Sequence, residues 1–203
     1  MTQTLCRIVI LAMHPLLTPM YIVAAMLFAG STLLTGMPLH YRLSALSTLS
    51  IPLLLMPATL NVALRLRLKT PRRASVDPLY AKWLYLAYAA TMSAAASLLG
   101  AEHAFSPVTP LAGGLAAAWI AASISTALRR TSCHVLLCGA CTAFASVLAL
   151  SVGGIWIGAL YTFLISSGIV STALAHFRHR TLPATGIDFA IGMAAMLLAI
   201  QTI

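Results

Sequence analysis

The chain has 203 residues, of which 61% are hydrophobic and 7% charged, and its mean hydropathy is +0.97. Soluble domains carry about 25% charged residues, so this composition excludes a soluble fold and indicates an integral membrane protein. The net charge of +9 does not predict a nucleic-acid partner, because the cations lie at the ends of apolar segments, where they fit membrane orientation and anionic headgroups.

Apolar runs recur along the whole chain, each near the length of about 20 residues that crosses a bilayer as a helix. No stretch remains for a separate soluble domain, so residues 1–203 are predicted to form one all-α membrane domain, a polytopic bundle of transmembrane helices. A cleavable signal peptide is not predicted, because the first apolar segment contains His14, Pro15 and Pro19 and lacks a small-residue cleavage site.

The first two spans contain prolines. Two prolines four residues apart in His14–Pro19 predict a bent or delayed helix, so the first span is expected at about 16–36. The second span is expected at about 43–65, where Pro52 and Pro57 predict kinks that neighbouring helices can accommodate.

The most polar stretch of the chain is 65–79, which must lie outside the hydrocarbon. The third span follows at about 80–100, with Trp83, Tyr85 and Tyr88 near its start as predicted interfacial aromatics. Four further spans are expected at about 109–128, 133–151, 155–175 and 184–203.

A seven-span topology separates the basic residues by side. The N-terminus and the breaks after spans two, four and six then share one side, termed the basic side. Eleven of the twelve Lys and Arg residues lie on it, and only Arg42 lies opposite. This asymmetry favours seven spans. A count of six would result if the weaker early segments are misread. The positive-inside rule makes the basic side cytoplasmic.

Polar side chains gather at the breaks on the basic side, above all in Arg129-Arg130-Thr131-Ser132-Cys133-His134. Guanidinium groups orient phosphate oxygens, a hydroxyl at a helix start adds a donor, and an imidazole such as His134 or His179 transfers protons. The alternative is that the arginines only anchor the helices at the interface and the histidines are interfacial.

Asp188 lies one turn into the last span. A carboxylate inside the membrane is a functional candidate, or else a charge favoured by the helix dipole. Its neighbours Arg178 and Arg180 predict a salt bridge. A metal site from Cys133, His134, Cys138 and Cys141 is not predicted, since a buried helix seldom presents four ligands to one metal. No cofactor is predicted either, haem on His14 and His134 included, because both histidines lie beside cations near segment ends.

These motifs resemble those of the membrane-bound type 2 phosphatidic acid phosphatase superfamily: a basic first motif, Ser-x-His opening a helix, and Arg-x5-His-x3-Asp opening the last helix. The chain is similar in particular to compact bacterial members that begin with His-Pro-Leu-Leu-x-Pro, as at His14–Pro19. The likeness covers most of the chain in layout. It implies a bacterial inner membrane, although family members commonly act at the outer face.

The second family motif, Pro-Ser-Gly-His, matches at Ser132 and His134. The resemblance implies that this serine binds phosphate and that this histidine protonates the leaving oxygen. In the third motif, Asp188 and Arg178 match, and Gly192 falls at a glycine common in compact members. Ala184 stands where the nucleophilic histidine belongs, and alanine cannot form a phosphohistidine.

This sequence departs from the family pattern in two further places. A first motif anchored at Pro78 would need a lysine and an arginine where this sequence has Thr70 and Asp77. Arg72 and Arg73 are cations close to these positions, but they do not lie at the positions of the motif. The histidine of the third-motif loop, His179, lies five residues before the expected nucleophile.

The resemblance implies that the protein acts on, or binds, a lipid phosphate at the membrane interface, as a hydrolase of phosphoric monoesters or diphosphates. The alternative is a catalytically inactive relative that binds an anionic lipid or serves as a membrane scaffold. A transporter lacks support, because no internal repeat is found. If the starts of spans three, five and seven converge, the candidate residues should surround one pocket: for catalysis His134, His179 and Asp188, and for phosphate binding Arg72, Arg73, Ser132 and Arg178.

Overall fold

The computed structural model describes residues 3–28, 38–67, 78–102, 108–129, 131–178 and 181–202. Across these residues the regular structure is entirely helical, which confirms the predicted all-α class for this part of the chain. The helices are α1 (Gln3–Ala12), α2 (Thr18–Phe28), α3 (Leu39–Ser50), α4 (Met56–Arg67), α5 (Pro78–Glu102), α6 (Val108–Leu128), α7 (Cys133–Ser151), α8 (Ile155–Arg178) and α9 (Leu182–Thr202).

Several of these helices are long and apolar enough to cross a membrane, as an integral membrane protein requires. Within the described residues there are five such stretches: Leu39–Ala63, Val108–Leu128, Cys133–Ser151, Ile155–His176 and Leu182–Gln201. They coincide with predicted spans two, four, five, six and seven. The 11-residue α2 and the 25-residue α5 occupy the positions of spans one and three without belonging to the five. Seven spans therefore stay a prediction.

Prolines shape the early helices as the sequence predicts. The chain breaks between α1 and α2 at the His14–Pro19 segment. Further on, Pro52 lacks the N–H that an α-helix would use, and a π-helical segment, Ile51–Leu55, joins α3 to α4. The N–H of Met56 accordingly donates to the carbonyl of Ile51, five residues back. The kink predicted around Pro52 is thus a local widening of the helix.

Helices α5 and α6 pack along each other through aromatic rings. Tyr85 and Tyr88 lie with their ring centroids 5.3 and 4.9 Å from that of Trp119 on α6. Tyr88 is only 3% exposed, whereas Trp83 is 61% exposed. The ring of Tyr88 therefore faces a neighbouring helix and belongs to the core, while its position at the membrane interface stays a prediction.

Helix α7 lies at the centre of the bundle. Residues buried within the protein make up 72% of its membrane window, against 22% for α9 and 28% for α8. Glycines allow α7 and α9 to touch backbone to backbone: a β-carbon at Gly139 would overlap the carbonyl of Phe189, and one at Gly192 would overlap the carbonyl of Leu136. Small residues permit this close approach of membrane helices. The contact holds the first turns of α7 and α9 side by side.

Candidate functional site

The candidate site lies where α6 ends and where α7 and α9 begin. Asp188, in the second turn of α9, is fully buried and connects all three elements. Its Oδ1 forms an ion pair with Arg129 at 2.5 Å, and its Oδ2 accepts a hydrogen bond from the backbone N–H of Ser132 at 2.8 Å. Arg129 also donates to the carbonyl of Ala184 at 3.4 Å. One carboxylate therefore joins the α6–α7 connection to α9.

The burial of Asp188 is balanced by these donors. Burying a carboxylate costs free energy unless the carboxylate is paired with a cation and hydrogen-bonded. Here the guanidinium of Arg129 supplies the opposite charge, and the backbone N–H of Ser132 supplies a hydrogen bond. The carboxylate also sits at the N-terminus of α7, where the helix dipole favours a negative charge. The sequence predicts a salt bridge of Asp188 with Arg178 and Arg180, whose side chains lie outside the described residues; the described structure shows an ion pair of Asp188 with Arg129, directly after α6.

Ser132 precedes the first residue of α7 and has an extended backbone conformation. Its hydroxyl makes no capping hydrogen bond to the helix, and the residue is 7% exposed. The neighbouring Thr131 donates its hydroxyl to Ser125 Oγ at 2.7 Å, which fixes the turn onto the end of α6. The serine that the resemblance assigns to phosphate thus contributes its backbone N–H to Asp188.

His134, in the first turn of α7, packs against His14 from the connection between α1 and α2. The two ring centroids lie 5.8 Å apart, with the ring planes at 81°. Both residues are half-buried. The Sγ of Cys133 lies 3.7 Å from Nδ1 of His134. His14, which the sequence does not predict as a site residue, is therefore the structural neighbour of the histidine that it does predict.

A tight turn fixes the orientation of His14. Its carbonyl accepts the N–H groups of Leu17 and Thr18, at 2.8 and 3.0 Å. Its ring Nδ1 accepts the N–H of Leu16 at 3.3 Å. Since this acceptor role requires an unprotonated Nδ1, the neutral ring carries its proton on Nε2. Burial, followed by the nearby His134, lowers the pKa of His14 from its usual value of 6.5.

A small apolar cluster supports these polar residues. Val135 of α7 packs with Val170 and Leu174 of α8, together with Met13 before the turn and Phe189 of α9. Each of three cluster members is the sequence neighbour of a polar residue: Met13 precedes His14, Val135 follows His134, and Phe189 follows Asp188. The cluster thus brings α1, α7, α8 and α9 together at the same end of the bundle.

The other predicted site residues are only partly within the described structure. Arg72, Arg73 and His179 lie outside the described residues, and Arg178 ends α8 with its side chain outside them. Ala184 is half-buried in the first turn of α9. The structure brings together Ser132 and Asp188, with His134 two residues further along; a pocket shared with the arginines stays a prediction. Within the described residues, no three or more of His, Cys, Asp and Glu lie close enough to hold a metal ion.

An open groove of about 510 Å³ lies elsewhere on the bundle, between α5, α6 and α9. Small and apolar residues line it, among them Gly113, Ala117 and Ala195. Along α9 it begins about two helical turns beyond Asp188, so it is distinct from the candidate site.

Sequence reasoning missed Arg129 and His14 as members of that site. The signal for Arg129 was its place in the same polar break as Ser132 and His134.

Comparison of this chain with known protein families, with curated proteins and with solved structures finds no match in any of the three. The functional interpretation therefore rests on the residues and on the geometry at the start of α7 and α9. These give an integral membrane protein with a buried carboxylate, an arginine and a pair of histidines gathered at one end of its helices.

Proposed function

We propose that this protein binds the phosphate of an anionic lipid at the basic side of the membrane, where α6 ends and where α7 and α9 begin, and that it does not hydrolyse the bound lipid. The observation that carries the proposal is the convergence of Arg129, Ser132 and Asp188, with His134 in the first turn of α7. Helix starts and arginine side chains are the groups that proteins use to bind phosphate.

Binding without turnover is favoured by two features of α9. Ala184 occupies the position at which the resemblance expects the nucleophilic histidine, and its carbonyl accepts a hydrogen bond from Arg129. Asp188 is already engaged by Arg129 and by the N–H of Ser132, so its charge serves to join the helices. The phosphate would then be held by cations beside this pair, for which the sequence offers Arg72, Arg73 and Arg178.

Arg129 is suited to a double role. Its side chain is 30% exposed while its partner Asp188 is fully buried, so part of the guanidinium faces the surface of the bundle. A guanidinium has five N–H donors, of which Asp188 and Ala184 use a part. Its other donors would bind a lipid headgroup at the interface, where basic residues attract anionic lipids.

Hydrolysis of a lipid phosphate or diphosphate is the second candidate function. It is favoured by the placement of His134 in the first turn of α7, next to the contact between Ser132 and Asp188. In this position an imidazole can protonate a leaving oxygen. The candidate needs a nucleophile, and the histidine in the loop before α9, His179, would have to supply it.

One experiment on the purified protein distinguishes binding of a lipid phosphate from its hydrolysis. A short-chain phosphatidic acid is titrated into the protein in a neutral detergent, and heat of binding and phosphate release are measured on the same sample. We expect saturable binding with no phosphate release. Because a hydrogen bond to a charged group contributes about 1.5–3 kcal/mol, the double variant R72Q/R73Q and the single variant R178Q should each bind about tenfold more weakly or worse.

Arg42 provides the matched control, since it is the one cation that the sequence places on the opposite side. R42Q should bind like the unmodified protein. Absence of saturable binding would refute the proposal. Phosphate release that disappears in H134A would instead establish the hydrolase.

We also propose that the chain crosses the bacterial inner membrane seven times, with the basic side in the cytoplasm. The distribution of Lys and Arg supports this orientation. In a variant whose native cysteines are replaced by serine, a cysteine introduced within 69–75 should react with a membrane-impermeant maleimide only after lysis. A cysteine at Ser106, in the break after the third span, should react in intact cells. Labelling within 69–75 in intact cells would reverse the orientation.

A further inference from the structure

The groove between α5, α6 and α9 is part of the surface that meets the bilayer. The residues that line it include Ile120, Ile124 and Leu198, whose side chains are exposed. Two of its walls belong to α6 and α9, both of which are long and apolar enough to cross a membrane. A groove on such helices faces hydrocarbon. Its volume of about 510 Å³ must be filled by an apolar neighbour, because an empty groove forfeits van der Waals contacts.

The size of the groove suits a single hydrocarbon chain. Along α6 it extends from Gly113 to Ile124, which is about 16 Å at a rise of about 1.5 Å per residue. A helix of that length, at least about 10 Å across with its side chains, would occupy about 1,300 Å³. The groove offers about 510 Å³. A second protein helix would therefore rest on the groove and enter it only in part, whereas an extended polymethylene chain can lie inside it.

The walls of the groove are small side chains in fixed positions. Glycine or alanine recurs every four residues along α6, at Gly113, Ala117 and Ala121, and two alanines four residues apart do the same on α9. Alanine and glycine side chains have no rotamers to lose, so holding a chain costs these walls no side-chain entropy. Among the described residues that line the groove, one, Ser93 of α5, has a polar side chain. The lining therefore favours an occupant without polar groups.

The groove follows the two helices whose ends carry the ion pair of the candidate site. On α6, Ile124 lies about 7.5 Å before Arg129 along the helix, and Gly113 lies about 24 Å before it. On α9, Ala195 lies about 10 Å after Asp188. Both distances run from the ion pair into the membrane, because α6 ends and α9 begins there. They agree that the groove begins about 7–10 Å below the ion pair, at the depth where the chains of a lipid follow its headgroup.

We propose that the groove binds an acyl chain of the anionic lipid whose phosphate is held at the candidate site, so that the protein recognises both the headgroup and the chain of a long-chain phospholipid. This inference rests on the proposed function. An extended polymethylene chain advances about 1.25 Å per carbon, because its C–C bonds are about 1.5 Å long and meet at tetrahedral angles. The groove therefore holds about 13 carbons. A palmitoyl chain whose first carbons span the interval below Arg129 reaches Gly113, whereas a hexanoyl chain occupies only the nearer part of the groove.

The groove fixes the position of the chain more than it raises affinity. A chain in a bilayer is already surrounded by hydrocarbon, so moving it into the groove removes no apolar surface from water. What changes is that contacts with fixed walls replace contacts with mobile lipid tails. The test must therefore locate the chain.

The test is photo-cross-linking of a lipid chain to the protein. A phosphatidic acid whose palmitoyl chain carries a diazirine at its middle carbon is added to the purified protein in phosphatidylcholine nanodiscs. After irradiation, the cross-linked residues are mapped by mass spectrometry. We expect the cross-links to concentrate in the groove, around Ala117 of α6 and Leu198 of α9, well above the level on the exposed residues of α8.

The variant A117L/A121L fills the groove from within. Its groove cross-links should fall to the level found on α8, while its heat of binding for dihexanoyl phosphatidic acid stays close to that of the unmodified protein. G168L is the matched control, because it enlarges an exposed position on α8. Among the described residues, no atom beyond its own stretch of helix lies within 4 Å of where the β-carbon would be. This control should keep the groove cross-links.

Each contrary result contradicts a different part of the proposal. Even labelling of all exposed helices in the unmodified protein, which needs no variant, would refute the groove and leave the proposed function standing. Equal groove labelling by a phosphatidylcholine with the same chain would refute the link to the phosphate site. Groove cross-links retained in A117L/A121L would refute the groove as their origin. Absence of dihexanoyl phosphatidic acid binding to the unmodified protein would refute the proposed function itself, and calorimetry detects this independently of the mapping.

Discussion

Replacing Asp188 by alanine should destabilise the protein strongly, by about 3–5 kcal/mol, because it leaves the guanidinium of Arg129 without its buried partner. The N–H of Ser132 loses its acceptor at the same time. The measurement is unfolding in mixed detergent micelles, followed by circular dichroism. D188N should lose less stability, because its amide oxygen can still accept from Ser132.

The double variant R129M/D188L distinguishes a paired charge from an isolated packing defect. Removing both charges leaves no unpaired charge and only the N–H of Ser132 without its acceptor, so the double variant should regain a large part of the stability that D188A loses. R129M alone should be strongly destabilising, since it removes the guanidinium that pairs with the buried Asp188 carboxylate. Losses that simply add in the double variant would show that the two side chains are not energetically coupled.

Replacing Gly192 by valine should produce the second large effect, by separating α9 from α7. A β-carbon at this position would overlap the backbone carbonyl of Leu136, and a carbonyl inside a helix cannot turn aside as a flexible side chain can. Overpacking costs about 1–3 kcal/mol or more. Because the displaced α9 would carry Asp188 away from Ser132, G192V should also lose lipid binding, which the calorimetric assay measures.

Gly186 offers a control on the same helix. Among the described residues, no atom beyond its own stretch of helix lies within 4 Å of where its β-carbon would be, so G186A should be neutral or slightly stabilising, by up to about 1 kcal/mol, through the better helix propensity of alanine. G139A should behave like the Gly192 variant, because Gly139 meets the carbonyl of Phe189 at the same crossing. A Gly192 variant as stable as G186A would mean that the two backbones do not touch.

The all-α fold class and the positions of many helices were predictable from the sequence because they depend on local properties. Apolar segments of membrane length gave five spans that the described structure contains. Pro15 and Pro19 marked the break between α1 and α2, since proline removes the N–H that a continuous helix needs. These signals belong to neighbouring residues and do not depend on how the helices pack.

The partners within the site depend on packing and were not predictable in the same way. The sequence pairs Asp188 with arginines close to it along the chain, whereas Arg129 reaches it from the end of α6. Sidedness places His14 and His134 on the same side of the membrane, but their direct contact follows from how the α1–α2 turn lies on α7. The burial of Tyr88 was not predictable for the same reason, since Trp119 of another helix covers its ring.

The pairing of Arg129 with Asp188 also has a consequence for biosynthesis. Helices α6 and α7 precede α9 in the chain, so the ribosome releases the arginine well before the carboxylate. Until α9 enters the bilayer, Arg129 stands at a helix end, where its long side chain can reach the headgroups. Asp188 enters the edge of the membrane later, together with α9, when Arg129 is already in place to pair with it. An assembly intermediate that lacks α9 should therefore be tolerated by the membrane, whereas α9 inserted without α6 would carry an unpaired charge and be a substrate for quality-control proteolysis.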